Sequence, residues 1–176
     1  MLLPKRATTL LVKNSTPMLS LVYKLLPNRI EALVIDHFIN TLCKEFIEFN
    51  ELDFMDGRLV EVAITDLGIK WLFAKTNGNN PKDDRLVMID DVNKKADVTF
   101  SGSLNAMILM ASQKVDPDTL FFNRELMITG DTNLGLEIKN LIDQFNISLL
   151  GKPIEKSLDL WSKSILEVQN AEKPVY

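Results

Sequence analysis

The segment DPDTLFFNRELMITGDTNLG, from Asp116 to Gly135, carries two glycines five positions apart, Gly130 and Gly135, at the start of a predicted helix. A phosphate-cradling loop uses glycines in this way, but it requires GxxxxGK[ST], where the lysine neutralises phosphate charge and the hydroxyl holds magnesium. Here Gly135 is followed by Leu136 and Glu137, and Asp131 would set a carboxylate against the phosphates. An acid at a helix N-terminus is instead favourable, as a cap and in the field of the helix dipole. The motif therefore predicts a strand-to-helix turn at Gly130 with Asp131 or Thr132 as the cap, and no nucleotide site.

His37 is the single histidine and Cys43 the single cysteine. They fall six apart on one predicted helix, about 240° around its axis at 3.6 residues per turn, so they do not form a pair. One histidine cannot build a multi-histidine metal centre, and one cysteine cannot close a disulfide within the chain. No nucleophile elbow or paired-carboxylate motif surrounds the serines and glutamates. The doublets Asp83-Asp84 and Asp90-Asp91 flank a predicted strand and read as solvated strand ends. The expectation is no catalytic residue, no metal and no cofactor.

The 176 residues suit a single core, and the proportions of 46% hydrophobic and 25% charged are those of a globular chain. The net charge of −4 is unevenly spread. Residues 1–30 hold Lys5, Arg6, Lys13, Lys24 and Arg29 with no acid, a charge of +5, leaving 15 bases against 24 acids, or −9, in the rest. A cationic arm favours an anionic surface, whereas the acidic body would be repelled by nucleic acid. No run approaches the roughly 20 apolar residues of a membrane-spanning helix. The stretch TPMLSLVYKLLP is interrupted by Lys24 and lacks the small-residue cleavage site of a signal peptide. The single thiol fits a reducing, cytoplasmic setting.

The elements that would position any site follow from periodicity. Met18, Leu21, Val22, Leu25 and Leu26 predict a short amphipathic helix before Pro27. Asn28 and Glu31 then cap a longer helix to about residue 50, with Ile30, Val34, Phe38, Leu42, Phe46 and Phe49 on one side. From Asp53 the period becomes alternating, with Asp56-Gly57 as a hairpin signal. Strands follow in RLVEVAIT, IKWLFA, RLVMI and ADVTFS, then a helix around Leu104–Ala111 that is apolar nearly all round, then a fifth strand in RELMIT. A helix with Leu134, Ile138, Leu141, Ile142 and Phe145 in a stripe comes next, and after Gly151 and Pro153 a last one with Ile154, Leu158, Trp161, Ile165 and Val168. The fold class is α+β, a mainly antiparallel sheet with helices. Aromatic and methionine side chains are dense around that sheet; a filled core and an apolar pocket share this signature, and both remain open.

The run ADVTFSGS, the apolar helix after it, and DPDTLFFNRELMITGDTNLGLEIKNLID together resemble the sterol carrier protein type two domain family, most of all a bacterial branch of accessory factors in oxygen-independent ubiquinone biosynthesis. The likeness is strongest from Leu52 to Asp143 and weaker in both terminal helices. It implies a five-stranded sheet covered by helices that enclose an apolar lipid tunnel, in a domain over residues 28–150, between a cationic arm at 1–27 and a C-terminal helix and tail at 151–176. It implies a non-catalytic carrier without cofactor, whose partners are a prenylquinone precursor or phospholipid, the membrane surface and the hydroxylating enzymes of ubiquinone biosynthesis, with cytoplasmic residence and peripheral contact with the inner membrane. Carried over by position, the ligand-binding residues are Trp71, Phe73, Phe100, Met107, Met110, Phe121, Phe122, Leu126 and Ile128. From their charge, Lys5, Arg6, Lys13 and Lys24 of the N-terminal arm are expected to dock the membrane, the alternative being an arm that packs on the sheet as an ordinary helix. Asn123-Arg124-Glu125 replaces the glycine-lysine turn of the general carrier pattern, which argues against sterol or acyl-CoA as the ligand. The alternative is a scaffold whose terminal helices assemble partner enzymes around a core without lipid.

Overall fold

The computed structural model describes residues 28–79, 83–91 and 93–172. The short helix expected before Pro27 and the docking cations Lys5, Arg6, Lys13 and Lys24 lie outside the described residues.

The long helix expected to reach residue 50 is two helices, α1 (Asn28–Leu42) and α2 (Lys44–Glu48), which join at Cys43. A 3-10 turn at Asp53–Met55 leads into the sheet strands β1 (Leu59–Ile64), β2 (Ile69–Thr76), β3 (Arg85–Met88) and β4 (Val98–Gly102). Helices α3 (Leu104–Ala111) and α4 (Pro117–Phe122) precede β5 (Leu126–Gly130), and α5 (Thr132–Asp143), a 3-10 turn at Ile147–Leu150 and α6 (Lys152–Glu172) follow. Asp56-Gly57 does not close a hairpin. It joins the 3-10 turn to β1, and the β1–β2 hairpin turns instead through residues 65–68, where Gly68 has φ +68°.

The sheet order is β3-β2-β1-β4-β5. Every pairing is antiparallel except β1 with β4, which are parallel because the chain crosses over between them. Side chains alternate across a strand, so the register sets who shares a face. One row runs Trp71, Val62, Phe100, Ile128 across four strands, flanked by Ile69, Ile64, Gly102, Leu126 on one side and Phe73, Val60, Val98, Gly130 on the other. This face carries the main core. The opposite face holds Glu61, Lys70, Thr99 and Thr129, with the Lys70 ammonium 3.3 Å from Glu61.

Helix α3 explains its all-round apolar pattern by being buried on two sides. Ala106 and Met107 enter the core over the sheet, while Ile108 and Leu109 form a second cluster with Ile165 and Val168 of α6. Ser103 caps the helix, its side chain accepting from the Ala106 N–H at 3.2 Å.

Helix α1 departs from the expected stripe. Ile30, Leu33 and Val34 are 48%, 71% and 59% exposed. Toward the sheet it presents Asp36 and Asn40. The Asn40 carboxamide accepts from the Leu86 N–H at 2.9 Å and donates to the Leu86 carbonyl at 2.6 Å, and Asp36 accepts from the Met88 N–H at 2.8 Å. These are the outward backbone groups of β3, which has no strand beyond it among the described residues. An uncovered edge strand invites pairing with another chain, and α1 closes it with side chains.

Candidate functional site

The opening glycines resolve into a turn. Gly130 has φ +105°, and a Cβ there would stand 2.2 Å from the Asp97 carbonyl, so only glycine fits. Gly135 lets α5 lie against the sheet, since a Cβ would approach Ile128 to 3.0 Å and Val98 to 3.4 Å. Asp131 occupies the free N–H groups at the helix start, accepting from Asn133 at 3.0 Å and Leu134 at 3.1 Å, while Arg58 sits 3.3 Å away. Those donors, Leu134 first, and the Arg58 charge hold the Asp131 carboxyl below its ordinary range. The amides a phosphate would use are thus occupied by a carboxylate. His37 is exposed, and burial pushes the Cys43 thiol up to about 12, so the cysteine is inert.

The carried-over ligand residues divide. Trp71, Phe100, Leu126 and Ile128 share the core face of the sheet, and Met107 and Met110 of α3 pack into the same cluster. Phe73 is buried on that face two residues from Trp71. Phe121 and Phe122 stand apart from these seven. They are 44% and 78% exposed and meet each other edge to face, with ring centroids 5.8 Å apart, while Leu120 is the residue α4 turns inward. In the DPDTLFF string Asp116 caps α4 and Pro117 opens it, so the three apolar residues fall on a short helix whose inner face holds one of them.

Burial across the sheet is uneven in an informative way. In the flanking rows Ile64, Ile69, Leu126, Val60, Phe73 and Val98 are buried, and Gly130 at the end of β5 is exposed. In the middle row Trp71, Val62 and Ile128 remain partly accessible, as does Met110 from the helix facing them, while Phe100 between Val62 and Ile128 is 1% exposed. Val62 lies on the central strand, where closed packing would bury it most.

Two polar groups on this face were not foreseen from sequence. The Trp71 indole N–H donates to Glu31 of α1 at 2.6 Å. Lys75 follows Phe73 on the same face, its side chain 3% exposed, with the ammonium 3.0 Å from Asp53, 2.9 Å from Asp56 and 3.1 Å from Asp84. Burial alone would lower its pKa, but the hydrogen bonds to Asp56, Asp53 and Asp84 outweigh that and raise it. Asp84 is accordingly no solvated strand end: it also accepts from the Gly78 N–H at 2.8 Å. A lysine on the inward phase of IKWLFAK was the available signal, because a buried charge must find partners.

The domain sets helices over the apolar face of a five-stranded sheet, with no clustered metal-binding side chains among the described residues. The family model for the SCP-2 sterol transfer family matches residues 39–143, and the chain belongs to that family. Membership in a family of lipid carriers makes it a non-catalytic protein. The chain is similar to the ubiquinone biosynthesis accessory factor UbiT of Escherichia coli K12, 32% identical over 141 residues that span 80% of this chain and 76% of that protein. The protein of the same name from Escherichia coli O157:H7 matches to the same extent. Among solved structures, the UbiJ-SCP2 ubiquinone synthesis protein shares the fold, with a TM-score of 0.53 at 13% identity over 66% of this chain and 96% of that one.

Proposed function

We propose that the chain is a lipid-binding accessory factor of oxygen-independent ubiquinone biosynthesis, which takes a prenylated quinone precursor or a phospholipid from the membrane surface and presents it to hydroxylating enzymes. The observation that carries this reading is membership in the SCP-2 sterol transfer family over residues 39–143. The similarity to accessory factors of this pathway supplies the biological setting. An apolar tail burying about 400 Å² would gain roughly 10 kcal/mol gross, before association and ordering costs. Affinity can thus come from area, with little headgroup chemistry. The cations of residues 1–27 and the exposed Ile30, Leu33 and Val34 that follow them in sequence are the membrane-facing part of this reading. Each cation contributes about 1 kcal/mol near an anionic surface, and less as salt rises.

Organic extraction and native mass spectrometry of the purified protein test the reading. A copurifying prenylated or acylated lipid is the expected result. Protein that is empty and also fails to take up added prenylphenols and phospholipids would leave the scaffold role instead. For the arm, deletion of residues 1–27 should reduce co-sedimentation with anionic liposomes, and unchanged co-sedimentation would remove it from the docking surface.

A further inference from the structure

The two edges of the sheet are finished differently. On β3 the outward N–H and carbonyl groups are taken by Asp36 and Asn40 of α1. β5, the other edge, pairs with β4 alone. Asp131 donates its N–H to the Asp97 carbonyl at 2.8 Å, and only alternate residues of an antiparallel strand bond to a given neighbour. Met127 and Thr129 therefore bond to β4, while Leu126, Ile128 and Gly130 turn their backbone groups away from the sheet. Among the described residues nothing hydrogen-bonds to those outward groups. Met127 is 60% exposed, Thr129 and Gly130 are exposed and Ile128 is partly so, which leaves the edge open to solvent. Edge strands that avoid pairing carry charge, proline or a bulge, and LMITG, in unbroken register with β4, carries none of these.

The outward residues are spaced symmetrically about Ile128. A two-fold axis there, perpendicular to the sheet, sets Ile128 against its own copy and Leu126 against Gly130 of the second copy, and both pairs exchange backbone hydrogen bonds. Between them Met127 meets Thr129 of the second copy, with no charge on either side. At the ends Glu125 comes opposite Asp131 of the second copy, and Arg58, which stands 3.3 Å from Asp131 within each chain, supplies the cation beside the two acids. We propose that β5 is a homodimer interface, at which two copies of this chain join their five-stranded sheets edge to edge into one continuous sheet with both helical layers on the same side. So short a seam buries less than the roughly 1,000 Å² of a stable interface, and the exposed Phe121 and Phe122 just before β5 add apolar area at its ends. The dimer is accordingly weak, formed at about 100 µM and dissociated near about 1 µM.

Sedimentation equilibrium of the full chain across those concentrations should show reversible exchange of monomer and dimer. Thr129→Lys, at an exposed position, should weaken the dimer about tenfold, and Ile128→Pro, which removes the central N–H donor of each copy, about a hundredfold. Oxidative cross-linking reads the register. A mixture of Met127→Cys and Thr129→Cys chains should form disulfide dimers faster than either variant alone, because facing residues of a non-hydrogen-bonded pair bring their Cα atoms to about 4.5 Å. Cys43, 0% exposed, stays out of the reaction. A wild type that is monomeric throughout overturns the proposal, and slow exchange of the Ile128 N–H in that monomer would give the edge to residues 1–27 instead. A dimer left intact by Thr129→Lys and Ile128→Pro, or cross-linking no faster in the mixture, puts the contact elsewhere and overturns it equally.

Discussion

Helices α1 and α3 cover the same sheet in opposite ways. Every side chain of α3 from Ala106 to Leu109 is buried, two toward the sheet and two toward α6. The first turns of α1 leave Ile30, Leu33 and Val34 outside and direct Glu31, Asp36 and Asn40 inward. The difference lies in what each helix covers. Over the apolar middle of the sheet, hydrocarbon contact is the favourable contact. Over the edge strand β3, unpaired backbone N–H and C=O groups must be satisfied, and polar side chains do that.

The largest effect should come from cutting into α3. Leu109 is 1% exposed between the two clusters, so Leu109→Ala should lower unfolding free energy by about 3 kcal/mol in denaturant melts. The same truncation at Leu33, 71% exposed, should cost less than about 0.5 kcal/mol. If the two variants destabilised equally, the contrast between the helices would collapse.

Lys75 extends the comparison to a strand, as a polar group forced onto the apolar face. Lys75→Met leaves Asp84 without its cation and should destabilise by about 2 kcal/mol, below the 3–5 of a fully buried pair because Asp53 and Asp56 reach water. It also reads out in pH. The Asp84 carboxyl is held below its ordinary value, by the Gly78 N–H first and by Lys75. A carboxylate with a depressed pKa contributes stability above its unfolded value, lost as pH falls through the folded one. Wild-type stability should therefore fall as pH drops below about 4, with Asp131 and Asp116 acting in the same sense and Asp143, raised by burial, opposing them. Lys75→Met should fall less steeply in acid titrations followed by circular dichroism.

Much of this was legible in the sequence, and the misses have physical causes. Five strands followed from strand-like patterning, and the Gly130–Asp131 turn from the chemistry that a phosphate loop lacks. The stripe through Ile30 and Val34 misled because periodicity says that a face is apolar, not what lies opposite it. Phe121 and Phe122 were placed with the ligand because a short apolar string does not say which residue its helix turns inward. Glu31 and Trp71 are 40 residues apart, and their contact depends on how α1 lies across the sheet, which no local pattern encodes.

Asn40 separates the two kinds of helix contact with the smallest cost. Asn40→Leu is the substitution that the apolar-stripe reading would favour, since it places hydrocarbon against the sheet. It should instead cost about 1.5 kcal/mol, because the Leu86 N–H and carbonyl lose their partners while the leucine finds a strand edge and not a core. The freed edge should also associate. Size-exclusion chromatography with light scattering should show concentration-dependent oligomers for Asn40→Leu that wild type lacks, and addition of Leu86→Pro, which removes one outward N–H, should suppress them. A variant as stable and as dispersed as wild type would mean that α1 holds β3 through hydrocarbon after all, and the contrast with α3 would reduce to one of exposure.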